Sequence, residues 1–197
     1  MSHLIRNTYL KLYDTRKDLI DSLVPKYGNY AEIGVLNGDF SRELFNILSP
    51  KKLVLIDLFE GSCYSGDKDG NNVMLYDLNA SYQKQKEWEA DNTSIRVLKG
   101  DSSTILKTFD NNFFDMIYLD GDHSYEGCKK DLLVAYDKVK NNGFIIGHDY
   151  EMNFNKTKNS YHFGVKRAVD EFCLLYNQKI IAKANDGCVS FAIQIRK

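Results

Sequence analysis

Proline and cysteine are scarce in this chain, and a charge excess is missing. There are 2 prolines and 4 cysteines in 197 residues, and the net charge is −1. Cys63, Cys128, Cys173 and Cys188 are widely spread, with no Cys-x-x-Cys pair and no zinc-type spacing. That argues against a disulfide scaffold or a zinc module. The cysteines read as reduced, mostly buried thiols of a cytoplasmic protein. The balanced charge leaves no footprint for nucleic acid, so no nucleic-acid partner is expected. No apolar run approaches membrane-spanning length, and Met1 to Arg6 lack the apolar core of a signal peptide. No membrane partner is expected either. Low-complexity segments, repeats and linkers are also missing. Residues 1–197 therefore read as one domain, with 1–28 an N-terminal helical cover and 29–197 the core.

What is present is a regular alternation of patterns. Apolar residues from Leu4 to Leu23 recur at helical spacing, and Pro25 and Gly28 end the run. This helix covers one side of a sheet, or else forms an acceptor or homodimer surface. Tyr30 to Ile33 is a short strand, followed by a glycine-containing turn and a helix from Asp39 to Leu48. Further strands are Leu53–Asp57, Ile95–Lys99, Phe114–Leu119 and Phe144–Gly147. Helices are expected near Leu78–Trp88, at Tyr125–Lys140 and at Val165–Tyr176. Lys179–Lys183 and Val189–Ile195 flank Asn185-Asp186-Gly187, an antiparallel hairpin signal. The segments Glu60–Asn79 and Glu151–His162 are polar loops. The first resembles a calcium loop only superficially, because its glycine and its twelfth residue are misplaced. The pattern predicts a doubly wound α/β fold. Its sheet is seven-stranded and mostly parallel, with helices on both faces and an antiparallel C-terminal hairpin.

Each of the first five strands ends near a carboxylate: Glu32, Asp57, Asp101, Asp120 and Asp149. One such Asp is ordinary turn chemistry. Five at the carboxyl edge of one sheet, where open α/β sheets bind ligands, point to a site. The Gly34 and Gly38 turn permits close approach of a ligand but is not a dinucleotide fingerprint. Glu32 and Asp39 beside the helix start disfavour phosphate and suit a cofactor with hydroxyls and a positive centre. Asp57, 23 residues after Gly34, suits ribose hydroxyls. Asp120 and Asp149, on neighbouring strands, could converge on a hard cation such as Mg²⁺. His123, one short turn past Asp120, is placed to take a proton near neutral pH, or merely to cap the helix or pair with Asp122. His148 is either a ligand or a supporting residue.

Glu32-Ile33-Gly34-Val35-Leu36-Asn37-Gly38, Leu119-Asp120-Gly121-Asp122-His123, Gly143 to Tyr150 and Gly164 to Phe172 together resemble class I S-adenosylmethionine-dependent methyltransferases. Within that class they look most like the small metal-dependent O-methyltransferases of the catechol and macrolide-sugar types. The resemblance implies that Glu32, Gly34, Gly38 and Asp57 hold the methionine and ribose parts of S-adenosyl-L-methionine. It implies that Asp101 and Ser102 line the adenine. Asp120, Asp149 and His148 would hold a divalent metal, and His123 would be the general base for a small-molecule or sugar hydroxyl. His148 stands where sugar-modifying relatives carry a carboxylate, and Tyr150 where catechol-type members carry an Asn ligand. The competing readings are a metal-independent or nitrogen-directed methyltransferase of the same fold, and a nucleotide-binding scaffold without turnover.

Overall fold

The structure, a computed structural model, describes residues 10–65, 74–152 and 163–197. Its elements follow in chain order. They are β1 (Lys11–Tyr13), α1 (Arg16–Leu23), β2 (Asn29–Ile33), α2 (Asp39–Leu48), β3 (Lys52–Asp57), β4 (Ser62–Ser65) and β5 (Met74–Asp77). Then come α3 (Leu78–Asp91), β6 (Ile95–Lys99), α4 (Ser102–Lys107), β7 (Phe114–Leu119) and α5 (Tyr125–Lys138). The chain closes with β8 (Val139–Met152), α6 (Val165–Leu175), β9 (Ile180–Asn185) and β10 (Cys188–Gln194).

One sheet runs β1-β9-β10-β8-β7-β2-β3-β6. The pairs joining β8, β7, β2, β3 and β6 are parallel, while β10 is antiparallel to both β8 and β9. All seven expected strands are there. The eighth, β1, is the difference: it pairs parallel with β9 at the sheet edge, Lys11 opposite Ala182. The N-terminal segment is therefore not one helix. Thr15 stops the extended chain and caps α1, its hydroxyl oxygen accepting from the Asp18 N–H at 3.1 Å. Residues 1–9, part of the expected helix, lie outside the described residues, as do the middle of the Glu60–Asn79 loop and most of Glu151–His162. The described ends of the former form a separate antiparallel pair, β4 with β5.

Residues of the central strands alternate between two apolar layers, as a sheet covered on both faces requires. Ala31, Ile33, Val54, Ile56, Ile117, Leu119 and Ile145 pack with α4, α5 and α6. Tyr30, Leu53, Leu55, Met116, Tyr118, Phe144 and Ile146 pack with α1, α2 and α3. Burying each aliphatic side chain contributes about 1.5–3 kcal/mol, so both layers press the helices onto the strands. The order reverses at β2, whose neighbours are β3 on one side and β7 on the other. That reversal opens a crevice at the carboxyl edge between the β2 and β7 ends. No helix among the described residues is long and apolar enough to cross a membrane.

Candidate active site

The crevice is a cleft of about 840 Å³, within the size range of small-molecule sites. All five strand-end carboxylates line it, as do Gly34, Ser102, His123 and His148. Gly38 does not: it caps α2 in the left-handed conformation, φ 78°, against the side chain of Gln85.

Gly34 carries the sharpest constraint. Its φ is 83°, and a Cβ there would lie 2.0 Å from the carbonyl oxygen of Asp120. Only glycine lets the β2–α2 turn meet the end of β7 so closely. Backbone bonds lace the contact: Gly34 N–H donates to Ile56 O at 3.0 Å, and Asp120 N–H to Ile33 O at 2.8 Å. Asp57 braces the same turn. One of its oxygens accepts from Val35 N–H at 2.7 Å and Leu36 N–H at 3.1 Å, and the other from Phe59 N–H at 2.8 Å. A carboxylate has about four acceptor positions, so Asp57 keeps capacity for a further donor.

Glu32 is almost wholly buried, and Ser41 Oγ donates to its carboxyl. Burial pushes its pKa up to about 8; the Ser41 bond opposes that, and the nearby Asp120 charge adds to it. At the far end Asp101 caps α4 and is held by Lys130 Nζ at 2.9 Å, its pKa pulled below the usual range by hydrogen bonds from Thr104, Lys130 and Ser103. Ser102 turns its hydroxyl to Asp131, a buried α5 carboxyl that also lines the cleft. Burial raises Asp131 to about 6, against the pull of the Ser102 bond.

The β7 and β8 ends meet in a charged cluster. His123 Nε2 lies 2.9 Å from Asp149 and 3.4 Å from Asp120. His148 Nδ1 lies 3.3 Å from Asp149 and 3.8 Å from Asp120. Burial alone would lower the His123 pKa, but hydrogen bonds to the two carboxylates carry it up to about 10. Burial likewise opposes the Asp149 charge and is outweighed by the two histidines, which hold Asp149 well below the usual carboxylate range. The backbone of Asp149 has φ 56°, unusual for a residue with a side chain. It sits in a bulge: Gly147 pairs with Phe191 and Glu151 with Val189, so three β8 residues face Ser190 alone. That bulge aims Asp149 at the cleft. It turns Tyr150 the other way, into contact with Asp170 and Lys166.

Two participants carry no motif in the sequence. Arg16, at the start of α1, stacks over Phe40 at 4.1 Å and donates to the Tyr118 hydroxyl at 3.2 Å; its guanidinium also lies 3.6 Å from Asp120 and from Asp186. Cys188 opens β10 beside Asp149; burial and that carboxylate push its thiol up to about 12. Asp120, His123 and Asp149 offer donor atoms within 4.8 Å of one another, as do His148, Asp149 and Cys188. Two carboxylates with imidazoles, open to a cleft, suit a divalent cation, and the cationic Arg16 offsets part of their charge.

A family model described as a methyltransferase domain matches residues 31–150. Among curated proteins none matches in sequence. Solved structures share the fold. The O-methyltransferase NovP is 20% identical over 92% of this chain and 80% of its own, with a TM-score of 0.63. The B. subtilis tRNA methyltransferase TrmK is 14% identical over 95% and 68%, with a TM-score of 0.60. The spermidine synthase of Thermotoga maritima is 17% identical over 90% and 56%, with a TM-score of 0.55.

Proposed function

Because the chain belongs to the methyltransferase-domain family, and is on that ground an S-adenosylmethionine-dependent enzyme, we propose that it methylates a hydroxyl of a small molecule or sugar with the help of a divalent cation. The observation that carries this reading is the convergence of Asp120, His123, His148 and Asp149 at the β7 and β8 ends, inside a cleft whose other end is lined with polar groups. S-adenosylmethionine would supply the methyl group as a sulfonium, so the protein's task is alignment and proton removal. The Gly34 turn, braced by Asp57, holds the cofactor's amino acid and ribose. Glu32 lies beneath the turn as a largely protonated acid at neutral pH. Ser102 and Asp131, with Asp101, border the nucleobase end. Asp120 and Asp149 would hold the cation, which would supply a Lewis acid for the acceptor oxygen. A cation on Asp120 and Asp149 would relieve the two carboxylates that keep His123 protonated, and the freed imidazole, steadied against Phe163 at 4.9 Å, would take the hydroxyl proton.

Calorimetry tests both layers of the reading. S-adenosylmethionine should bind the full chain. Transfer to a panel of hydroxyl acceptors should stop in EDTA and return with Mg²⁺ or Mn²⁺. Full turnover in EDTA, or transfer to amines alone, would falsify the finer reading.

A further inference from the structure

We propose that the cluster at the β8 bulge selects a borderline transition-metal ion, of the Zn²⁺ and Co²⁺ class, over Mg²⁺, with Cys188 as one of its ligands. This rests on the metal-dependent reading above and names the cation. The argument is the donor set. A His148 ring nitrogen, an Asp149 oxygen and Cys188 Sγ lie within 4.8 Å of one another, so nitrogen, oxygen and sulfur donors are gathered in one place. Mg²⁺ demands oxygen ligands in near-octahedral array and keeps much of its water. An imidazole and a thiol that releases its proton to solvent as the metal binds favour Zn²⁺ or Co²⁺, which accept mixed ligands at short range. Asp149 belongs at the same time to the oxygen and nitrogen set made with Asp120 and His123. The bulge is what makes the mixed set possible. It delivers His148 and Asp149 in succession, opposite the first residues of β10, where Cys188 stands. The competing role for Cys188 is a plain hydrogen bond to Asp149. A serine would keep that bond and lose the sulfur ligand, so substitution separates the two.

The test titrates the metal-free full chain with Co²⁺, Zn²⁺, Mn²⁺ and Mg²⁺, following heat and absorption. Co²⁺ should give an intense sulfur-to-metal charge-transfer band in the near ultraviolet, and Zn²⁺ should bleach it. Co²⁺ should bind at least about tenfold more tightly than Mg²⁺. Cys188→Ser should abolish the band and weaken Co²⁺ by about 10–100-fold, with S-adenosylmethionine binding unchanged. Should that variant misfold, alkylation of the wild type serves instead: Zn²⁺ should protect Cys188 from iodoacetamide, read by mass spectrometry. Co²⁺ binding without the band, or Mg²⁺ binding as tightly as Co²⁺, overturns this inference and leaves the O-methyltransferase reading standing. Failure of every cation to bind overturns both.

Discussion

The two ends of the cleft hold their carboxylates by different means. At the β2 and β3 end each acid is satisfied by neutral donors of the fold itself: Asp57 by three backbone N–H groups, Glu32 by the Ser41 hydroxyl. At the β7 and β8 end Asp120 and Asp149 are held by basic side chains, His123, His148 and Arg16. The first arrangement is a scaffold, in place whatever binds. The second is an exchangeable charge balance, in which an arriving cation can take over from imidazolium or guanidinium. On the proposed reading, the first end would align the cofactor and the second would receive the cation.

Four substitutions break or sharpen this contrast. Gly34→Val should have the largest effect. It forces a β-branched side chain into a left-handed turn and onto the Asp120 carbonyl, and should cost more than about 4 kcal/mol or prevent folding, read as soluble yield and melting temperature. Asp149→Asn comes next. It should lower metal-dependent turnover by about 10²-fold or more and abolish cation binding. Because the fold favours the Asp149 charge, it should also lose some melting temperature, but less than Gly34→Val. A large loss of melting temperature with normal cation binding would erase the distinction between the two ends. Asp57→Ala should do the opposite of Asp149→Asn. Freeing three N–H groups costs about 1–3 kcal/mol of stability, and S-adenosylmethionine affinity should fall with it while cation affinity holds. Smallest is Glu32→Gln, a change in pH dependence. The folded state keeps the Glu32 proton up to about 8, against a normal value of 4.5, so it binds more protons than the unfolded chain between those limits. Stability should therefore be full below pH 4.5 and decline as pH rises through 8. Glu32→Gln should flatten that decline in denaturant midpoints measured across the window. Asp131, raised to about 6, contributes in the same direction from 3.8 upward and remains in the variant.

Much of the fold is legible because its determinants are local. The apolar period of Phe40, Leu44 and Ile47 set the bounds of α2, and Asn185-Asp186-Gly187 announced the hairpin. The five acidic strand ends were visible for the same reason: each ends an apolar run. What escaped is what long-range geometry creates. Lys11–Tyr13 is too short to display an alternation, and its partner strand is far away in the chain, so its sequence reads as part of the helix that follows. Arg16 reaches the cleft only through that placement. Cys188 read as an ordinary buried thiol because a bulge, which no pattern of β8 signals, turns Asp149 toward it. Asp57 suits ribose on spacing alone; that it also braces the turn needed coordinates.

The pairing of β1 with β9 also has a temporal side. Arg16 and Asp186 are 170 residues apart in the chain, and the Arg16 backbone N–H donates to the Asp186 carboxylate at 3.3 Å. During synthesis β1 leaves the ribosome long before its sheet partner β9 is made. Until β9 and β10 arrive, β8 has no neighbour on one side, and Arg16 has no Asp186 to seat it. Closing so long a loop is slow, and a partly made chain exposes an open sheet edge meanwhile. The β7 and β8 end of the cleft is thus completed only when the hairpin docks, and a chain without the hairpin would lack the Asp186 partner of Arg16.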